Sequence, residues 1–252
     1  MIRERTGRNL TPKSLPEGLD EDAAEIWRTA RNLFETGDVA ELRAFGGGRT
    51  ASGYFNDFEA LARQAARLDA GGYQVYVTLN PVLPALLSRY RNRVEQRPKA
   101  TTKDNEIVRR RWLPVDLDPV RPSGISASDE EKRAAFERAG EIKGFLNSRG
   151  WLEPIEADSG NGTHLLYRVD LPNDPESLKL VSDTLTVLDS LFSDNVVNVD
   201  RSVANAARIW KLYGTTARKG DDSEERPHRR SRLLVVPGPV QEAGLWEIEP
   251  CR

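Results

Sequence analysis

The sequence contains very little cysteine or histidine, and this scarcity excludes several kinds of site. Cys251 is the only cysteine among the 252 residues, so an intrachain disulfide framework and a cysteine-rich zinc site are excluded. The two histidines, His164 and His228, stand far apart in the sequence, which also excludes a histidine-rich metal site. No zinc is therefore expected.

Long apolar runs and aromatic residues are scarce as well. No run approaches the roughly 20 apolar residues that a membrane-spanning helix needs, and the N-terminal segment lacks the apolar core of a signal peptide. We therefore expect no membrane partner and a cytoplasmic location. Aromatic residues make up 7% of the chain, which leaves few side chains on which bases could stack and argues against a pure single-strand binder.

The net charge of −2 at pH 7 hides two local basic stretches, at 89–111 and 201–232. Such stretches favour a surface that binds a polyanion, although solvated loops explain them equally well. The candidates for DNA contact are basic residues in these stretches and in the glycine-rich segment FGGGRTASGYF: Arg49, Arg91, Arg93, Lys219 and Arg229. That glycine-rich segment is not a Walker A loop, because no Lys-Ser/Thr pair follows its glycines.

Three carboxylates stand at the ends of apolar stretches. Asp116 and Asp118 lie in WLPVDLDPV, and Asp200 lies in NVVNVDRSV. On a strand, residues two apart point to the same face, so Asp116 and Asp118 would point together. Three adjacent carboxylates repel one another unless a divalent cation lies among them, and Mg²⁺ and Mn²⁺ prefer oxygen ligands. We therefore predict that these acids are catalytic and hold two divalent metal ions; a surface acidic pair without metal is the simpler alternative.

The segment SGNGTH, which begins at Ser159 and ends at His164, lies between two predicted strands. Its glycines are sufficient to explain a plain hairpin turn, and His164 could equally be a structural residue. The functional alternative is a cradle for a triphosphate. In that case backbone N–H groups at Gly160 and Gly162 would approach the oxyanions, with the side chains of Ser159 and His164 as further donors.

Two basic residues follow Asp200 closely, and they are candidates for nucleotide binding. Arg208 and Lys211 are three positions apart and would share one helical face if the segment were helical. Beside acids that hold metal ions, their side chains would be natural phosphate ligands.

From residue 112 onward the predicted elements are strand, helix, strand, strand, helix and strand, which is the ferredoxin-like or RRM-like β-α-β-β-α-β order. Ser128 and Glu131 predict a capping box for the first helix, and Asp174 predicts a cap for the second. We place the first strand between the second and third strands of an antiparallel sheet. The segment GGGRTASG is predicted to be rich in turns.

In combination, these motifs resemble the archaeo-eukaryotic primase superfamily, and within it the primase-polymerase domains of plasmids, phages and integrated elements. Asp-x-Asp on a strand, Ser-Gly-x-Gly-x-His on a hairpin and Val-Asp followed by RIWKLYGTTARKG occur in order. The likeness covers roughly residues 41–236. It implies an α/β (α+β) catalytic core over 41–245, in which an N-terminal α/β module (41–111) packs on an RRM-like module (112–245) with the active site between them. Residues 1–40 are predicted to form a tail and a helix.

The same resemblance implies a template-directed nucleotidyltransferase, a DNA primase-polymerase. Such an enzyme makes or extends primers on single-stranded DNA from dNTPs or NTPs and releases pyrophosphate. Because relatives often continue into a helicase or a helical primase region and nothing past residue 240 resembles one, a helicase or accessory primase domain is an expected partner, and the chain is expected to be a catalytic fragment.

The resemblance also assigns roles to individual residues. Asp116, Asp118 and Asp200 would be the metal-binding acids. Ser159 and His164 would contact the phosphates of the incoming nucleotide. Basic residues that would lie near phosphates or template are Arg208, Lys211 and Lys219.

The sequence is less consistent with two other functions. A replication initiator that nicks DNA needs a His-x-His metal pair and a nucleophilic tyrosine, and the distant histidines argue against it. A non-catalytic RRM-like module that binds single-stranded nucleic acid would carry aromatic-rich strand motifs of the GFGFV type, and the sequence has none.

Overall fold

Two five-stranded antiparallel β-sheets, a two-stranded antiparallel ribbon and four α-helices form a mixed α/β fold in the computed structural model, which describes residues 15–238. The helices are α1 Glu21–Leu33, α2 Phe58–Ala70, α3 Asp129–Asn147 and α4 Pro175–Phe192. The strands are β1 Ala40–Gly46, β2 Arg49–Phe55, β3 Gln74–Thr78, β4 Glu95–Gln96, β5 Arg109–Pro119, β6 Ile155–Asp158, β7 Thr163–Pro172, β8 Val197–Val199, β9 Ile209–Lys211, β10 Thr216–Ala217, β11 Arg229–Arg230 and β12 Arg232–Val235. The predicted tail before residue 15 and the predicted boundary at 245 lie outside the described residues. No helix between residues 15 and 238 is long and apolar enough to cross a membrane.

The first sheet has the strand order β4-β2-β1-β3-β9. Side chains alternate along β1, so that Leu42 and Ala44 belong to the buried core while Phe45 is exposed. Helices α1 and α2 pack against each other, and their N-termini are capped by Asp20 and Asp57. The edge strand β9 comes from a distant part of the chain and pairs antiparallel with β3.

The second sheet has the order β12-β6-β7-β5-β8, in which the long strand β5 lies between the central strand β7 and the edge strand β8. The strand-helix-strand-strand-helix-strand order predicted from residue 112 is present, but the predicted position of its first strand is wrong. Strand β5 lies between the third and fourth strands of the motif, β7 and β8, and not between the second and third. The tight β6–β7 hairpin explains this: β6 and β7 must be neighbours, and β7 pairs with β5, so only the other edge of β5 is free for β8.

The two helices of the second half begin as the sequence predicts. The hydroxyl of Ser128 accepts the backbone N–H of Glu131, whose carboxylate accepts the N–H of Ser128 in return. Asp174 caps α4 by accepting the N–H of Ser177 at 2.8 Å. Residues from α3, α4 and the β5 side chains between them form one continuous core with the first sheet.

The glycine-rich segment after β1 forms a strand and not only the turns that were predicted. Strand β2 pairs with β1 from Arg49 to Phe55, and only Gly47 and Gly48, with positive φ, form the turn before it. Gly53 lies against the backbone just before β4: a side chain there would put its Cβ 2.1 Å from the backbone oxygen of Arg93. The absence of a side chain at Gly53 therefore allows the two backbone segments to approach each other closely.

Candidate active site

The sheet pairing places three of the predicted site residues in one row. Asp116 on β5 is the register partner of His164 on β7, so their side chains stand on the same face. On the other side of β5, the backbone N–H of Asp200 donates to the carbonyl oxygen of Asp116 at 2.9 Å. This row depends on β8 being the direct neighbour of β5, which is the corrected strand order.

A cavity of about 160 Å³ opens beside this row. One wall is the second sheet with its predicted acids, and the other wall is the edge of the first sheet, where β3 and β9 lie. The lining contains Gln74, Tyr76, Asp116, Asp118, Ser159, Asn161, His164, Asp200, Val203, Arg208, Ile209, Trp210, Lys211, Ala217 and Lys219. Both sheets are therefore needed to form it.

The two β5 carboxylates in this cavity differ in their pKa. Burial raises the pKa of Asp118, and the negative charge of Asp116 raises it further. Burial also acts to raise the pKa of Asp116, but the ring of His164 and the cations of Lys219 and Arg208 outweigh it, so that the pKa lies below its ordinary value. A carboxylate whose ionisation is opposed by a neighbouring carboxylate, as Asp118 is by Asp116, would be stabilised in its charged form by a bound divalent cation.

The donors of this row suit a hard divalent cation, since Asp116, Asp118 and Asp200 all offer carboxylate oxygens to one cavity. Within residues 15–238, however, no three Asp, Glu, His or Cys side chains stand together in an arrangement that could hold an ion. The two oxygens of Asp200 accept the N–H and the hydroxyl of Ser202 at 2.7 and 2.9 Å.

His164 is buried in the cavity wall and makes a contact on each side of its ring. Its Nε2 lies 3.3 Å from Oδ1 of Asp116, and its Nδ1 lies 2.8 Å from the hydroxyl of Tyr213. The indole of Trp210 packs against the ring, with the centroids 4.2 Å apart. Trp210 lies on β9 and Tyr213 follows it, so these two contacts connect His164 on the second sheet to the first sheet.

The predicted phosphate ligands Arg208 and Lys211 both line the cavity, but not on a helix. Lys211 is on strand β9, and Arg208 is the residue directly before that strand. The Lys211 ammonium is buried and hydrogen-bonds the carbonyl of Thr216 at 2.8 Å, and burial lowers its pKa to about 7. Arg208 donates to the Ser202 hydroxyl at 2.6 Å. Lys219 completes this basic side of the cavity.

The SGNGTH segment forms a tight hairpin turn whose polar groups are largely paired internally. The Ser159 hydroxyl accepts the N–H of Gly162 at 2.9 Å, and the Gly160 N–H donates to Asp158 at 2.7 Å. A side chain at Gly162 would put its Cβ 2.2 Å from the carbonyl oxygen of Leu117, and one at Gly160 would collide with Ala217. Ser159 lines the cavity and Gly160 does not. The nucleotide-binding roles of both residues stay predictions.

The residues predicted to contact DNA fall into different environments. Arg49 on β2 and Arg91 in the segment before β4 are exposed, and β2 and β4 lie at the end of the first sheet opposite β9. Arg93 is also exposed but pairs with Glu95 at 3.0 Å. Arg229 donates to the carbonyl of Ala127 and pairs with Asp129; its guanidinium is used within the fold. Lys219 alone among the five lines the cavity.

Sequence reasoning missed several lining residues. Gln74 and Tyr76 lie on β3 and reach the cavity only because β9 pairs beside them. Trp210, which lines the cavity, and Tyr213, which does not, hold His164 from the segment RIWKLYG. Their Trp-x-x-Tyr spacing is the one signal that could have indicated them. Asn161 lies in the SGNGTH turn, and its side-chain oxygen accepts the N–H of Ala127 at 2.8 Å.

No model of a known protein family matches this chain, and no curated protein sequence matches it. It is similar to the crystal structure of primase RepB′, with a TM-score of 0.47 and 12% identity over 88% of this chain and 58% of that one. It is similar as well to the catalytic domain of primase RepB′ in complex with initiator DNA, with a TM-score of 0.47 and 13% identity over 89% of this chain and 88% of that one. The chain thus spans little more than half of the first of these structures.

Proposed function

We propose that the chain is a template-directed nucleotidyltransferase of the primase-polymerase type, with the catalytic core of the archaeo-eukaryotic primases. The observation that supports this function is the cavity between the sheets. Its second-sheet wall carries Asp116 and Asp118, while Lys211 from the first sheet lines the same space. A site of this composition suits a ligand that carries both a divalent cation and several phosphates.

In this proposal the acids and the cations have separate tasks. Asp116 and Asp118, joined by Asp200, would hold two divalent ions, Mg²⁺ or Mn²⁺, which would supply activation of the attacking hydroxyl and charge neutralisation at the leaving pyrophosphate. Lys211 and Arg208 would bind the phosphates of the incoming dNTP or NTP. Their positive charge would orient the nucleotide before reaction, and it would offset the charge that develops on the leaving group.

In this proposal the nucleotide and the DNA would occupy different parts of the cavity. The proposed modules are 41–111 and 112–245, with β9 added to the first sheet from the second module. Single-stranded template and primer would lie along the exposed side of the cavity, where Lys219 is half-buried. Arg49 and Arg91 are exposed and free to follow the template backbone farther away.

Primer synthesis tests this function directly. The full chain is incubated with single-stranded DNA, with and without a primer, in the presence of Mg²⁺ or Mn²⁺ and labelled dNTPs or NTPs. We expect new or extended strands from the wild type, and a loss of more than about 100-fold in the double variant Asp116→Asn/Asp118→Asn. The matched control is Asp183→Asn, which changes an exposed aspartate on α4 and should keep full activity.

Two results would contradict the proposal. The first is synthesis by the double variant at the wild-type rate. The second is a wild type that makes no product on either template although it binds single-stranded DNA, which would favour the non-catalytic binding module.

A further inference from the structure

A chain of buried hydrogen bonds leads from the first sheet to His164. The indole Nε1 of Trp210 lies 2.7 Å from the hydroxyl of Tyr213, and that hydroxyl lies 2.8 Å from Nδ1 of His164. Tyr213 is fully buried, and Trp210 and His164 are 3% and 4% exposed. Water therefore has little access to these polar atoms, and each must be satisfied within the chain.

The chemistry of the donors fixes where the protons lie. An indole N–H can only donate, so the Tyr213 oxygen accepts from Trp210. Burial raises the pKa of Tyr213 well above its ordinary value, so its hydroxyl keeps the proton. His164 Nδ1 is the remaining partner of that hydroxyl, and an unpartnered buried hydroxyl proton would be costly. Tyr213 must therefore donate to Nδ1, which must carry a lone pair.

The second ring nitrogen of His164 then carries the proton. Nε2 lies 3.3 Å from Asp116 Oδ1, and the ring lines the cavity. An Nε2–H in this place donates towards the carboxylate or towards an anion in the cavity. In the opposite tautomer, the Nε2 lone pair would face the Asp116 oxygens and would repel a phosphate.

We propose that Tyr213, itself oriented by Trp210, is a positioning residue that holds His164 in its Nε2–H tautomer and so presents a hydrogen-bond donor to the phosphates of a bound nucleotide. The ligand in this inference rests on the proposed function, whereas the tautomer does not. We call the hydrogen bonds from Trp210 through Tyr213 to His164 the relay. Because Trp210 is on β9 and His164 on β7, the N–H of His164 Nε2 is correctly placed only when the two sheets are correctly packed.

The tautomer can be measured without any activity assay. The chain has two histidines, so ¹⁵N-histidine labelling gives two sets of ring signals, and His228→Asn identifies those of His164. At a pH above the ordinary histidine pKa, long-range ¹H–¹⁵N spectra should show His164 protonated at Nε2 and not at Nδ1. A wild-type ring protonated at Nδ1, or at both nitrogens, would overturn the proposal.

Removal of the tyrosine hydroxyl tests its role. Tyr213→Phe should convert the single tautomer into a mixture, and it should weaken binding of ATP or dATP roughly three- to tenfold. Tyr167→Phe is the matched control, because the Tyr167 hydroxyl is also buried but makes no hydrogen bond within the described residues; it should change neither quantity. An unchanged tautomer in Tyr213→Phe, or an equal loss of nucleotide affinity in both variants, would refute the positioning role.

The two proposals fail in different ways. If the spectra show the fixed tautomer but no variant or wild type makes primers, the relay stands and the nucleotidyltransferase assignment falls. If primers are made but the tautomer is mixed in the wild type, the relay is wrong and the enzymatic function stands.

Discussion

Charged side chains are arranged in opposite ways at the cavity and at a cluster of ion pairs beside α1. This α1 cluster consists of Glu35, Asp38, Arg109, Arg111, Arg168 and Asp170. Within it every charge touches one of opposite sign, and the hydrogen bond from Arg168 lowers the pKa of Glu35. In the cavity, Asp116 opposes the ionisation of Asp118, and Lys211 lies buried without a carboxylate contact within the described residues. The contacts between acidic and basic side chains there are longer than the shortest pairs of the α1 cluster: His164 lies 3.3 Å from Asp116, Arg121 3.4 Å from Asp118 and Arg208 4.0 Å from Asp200.

The ion pairs of the α1 cluster stabilise the fold, whereas the buried charges of the cavity lower its stability. In the α1 cluster the free energy of the buried groups is lowered by their partners. In the cavity, the raised pKa of Asp118 and the lowered pKa of Lys211 both mean that the charged form is disfavoured in the folded chain. Strained electrostatics of this kind are typical of functional sites.

The largest effect is expected from breaking the α1 cluster. The Arg111 side chain is 5% exposed and contacts Asp38 and Glu35. Arg111→Ala leaves Asp38, whose side chain is 16% exposed, without its cationic partner, while Glu35 keeps Arg168. We expect a loss of about 3–5 kcal/mol in the free energy of unfolding, measured by chemical denaturation. Arg133→Ala, at an exposed position on α3, is the control and should change it by less than about 0.5 kcal/mol. Equal losses would show that the cluster does not stabilise the fold.

The second-largest effect is the pH dependence of stability that arises from Lys211. Its pKa falls from 10.5 to about 7 in the folded chain, so between these pH values the unfolded chain binds more protons. Stability from this group is therefore lowest below pH 7 and rises as the pH increases towards 10.5, by roughly 2–4 kcal/mol in total. Lys211→Met should lack this rise when unfolding is measured across that window.

Lys179→Met is the control for the pH experiment, since the Lys179 side chain is 75% exposed. Its stability should follow the wild-type pH dependence. A constant difference between wild type and Lys211→Met at all pH values would contradict the buried-ammonium interpretation.

The smallest effect compares one carboxylate from each region. Asp118→Asn removes a charge that burial and Asp116 disfavour but that Arg121 offsets from 3.4 Å away. It should change the free energy of unfolding by less than about 0.5 kcal/mol, also because the Asp118 side chain is 41% exposed and screened by water. Asp38→Asn removes a partner of Arg111 and should destabilise the fold by more than that. Denaturation curves of the two variants test the comparison, and equal losses of stability would remove the distinction between the regions.

The parts of this architecture that could be predicted are those that depend on local patterns. Strand β5 reads as a long apolar run, and α3 and α4 carry capping residues that act within a single turn. The acids of β5 point together because residues two apart on a strand share a face. These features need no knowledge of distant neighbours, and so the sequence alone is sufficient for them.

What could not be predicted depends on long-range pairing. The segment at β9 looked compatible with a helix, and it is a strand only because β3 offers an edge to it. The basic stretch at 89–111 looks like a surface for a polyanion, yet Arg109 and Arg111 pair with acids from other parts of the chain. Residue counts cannot reveal such partners. The role of Tyr213 is equally hidden in the sequence, because it depends on contacts with Trp210 on β9 and His164 on β7.

The origin of β9 has a consequence for how the protein is made. The first sheet begins with β1, but its edge strand β9 is translated only after all of the second-sheet strands up to β8. Until then β3 presents an unpaired edge, which is a template for unwanted association, and the closure of so long a loop is slow. On the ribosome, the cavity is thus among the last parts of the molecule to take shape, and a nascent chain that stops before Lys211 has its acids in place but no basic wall to face them.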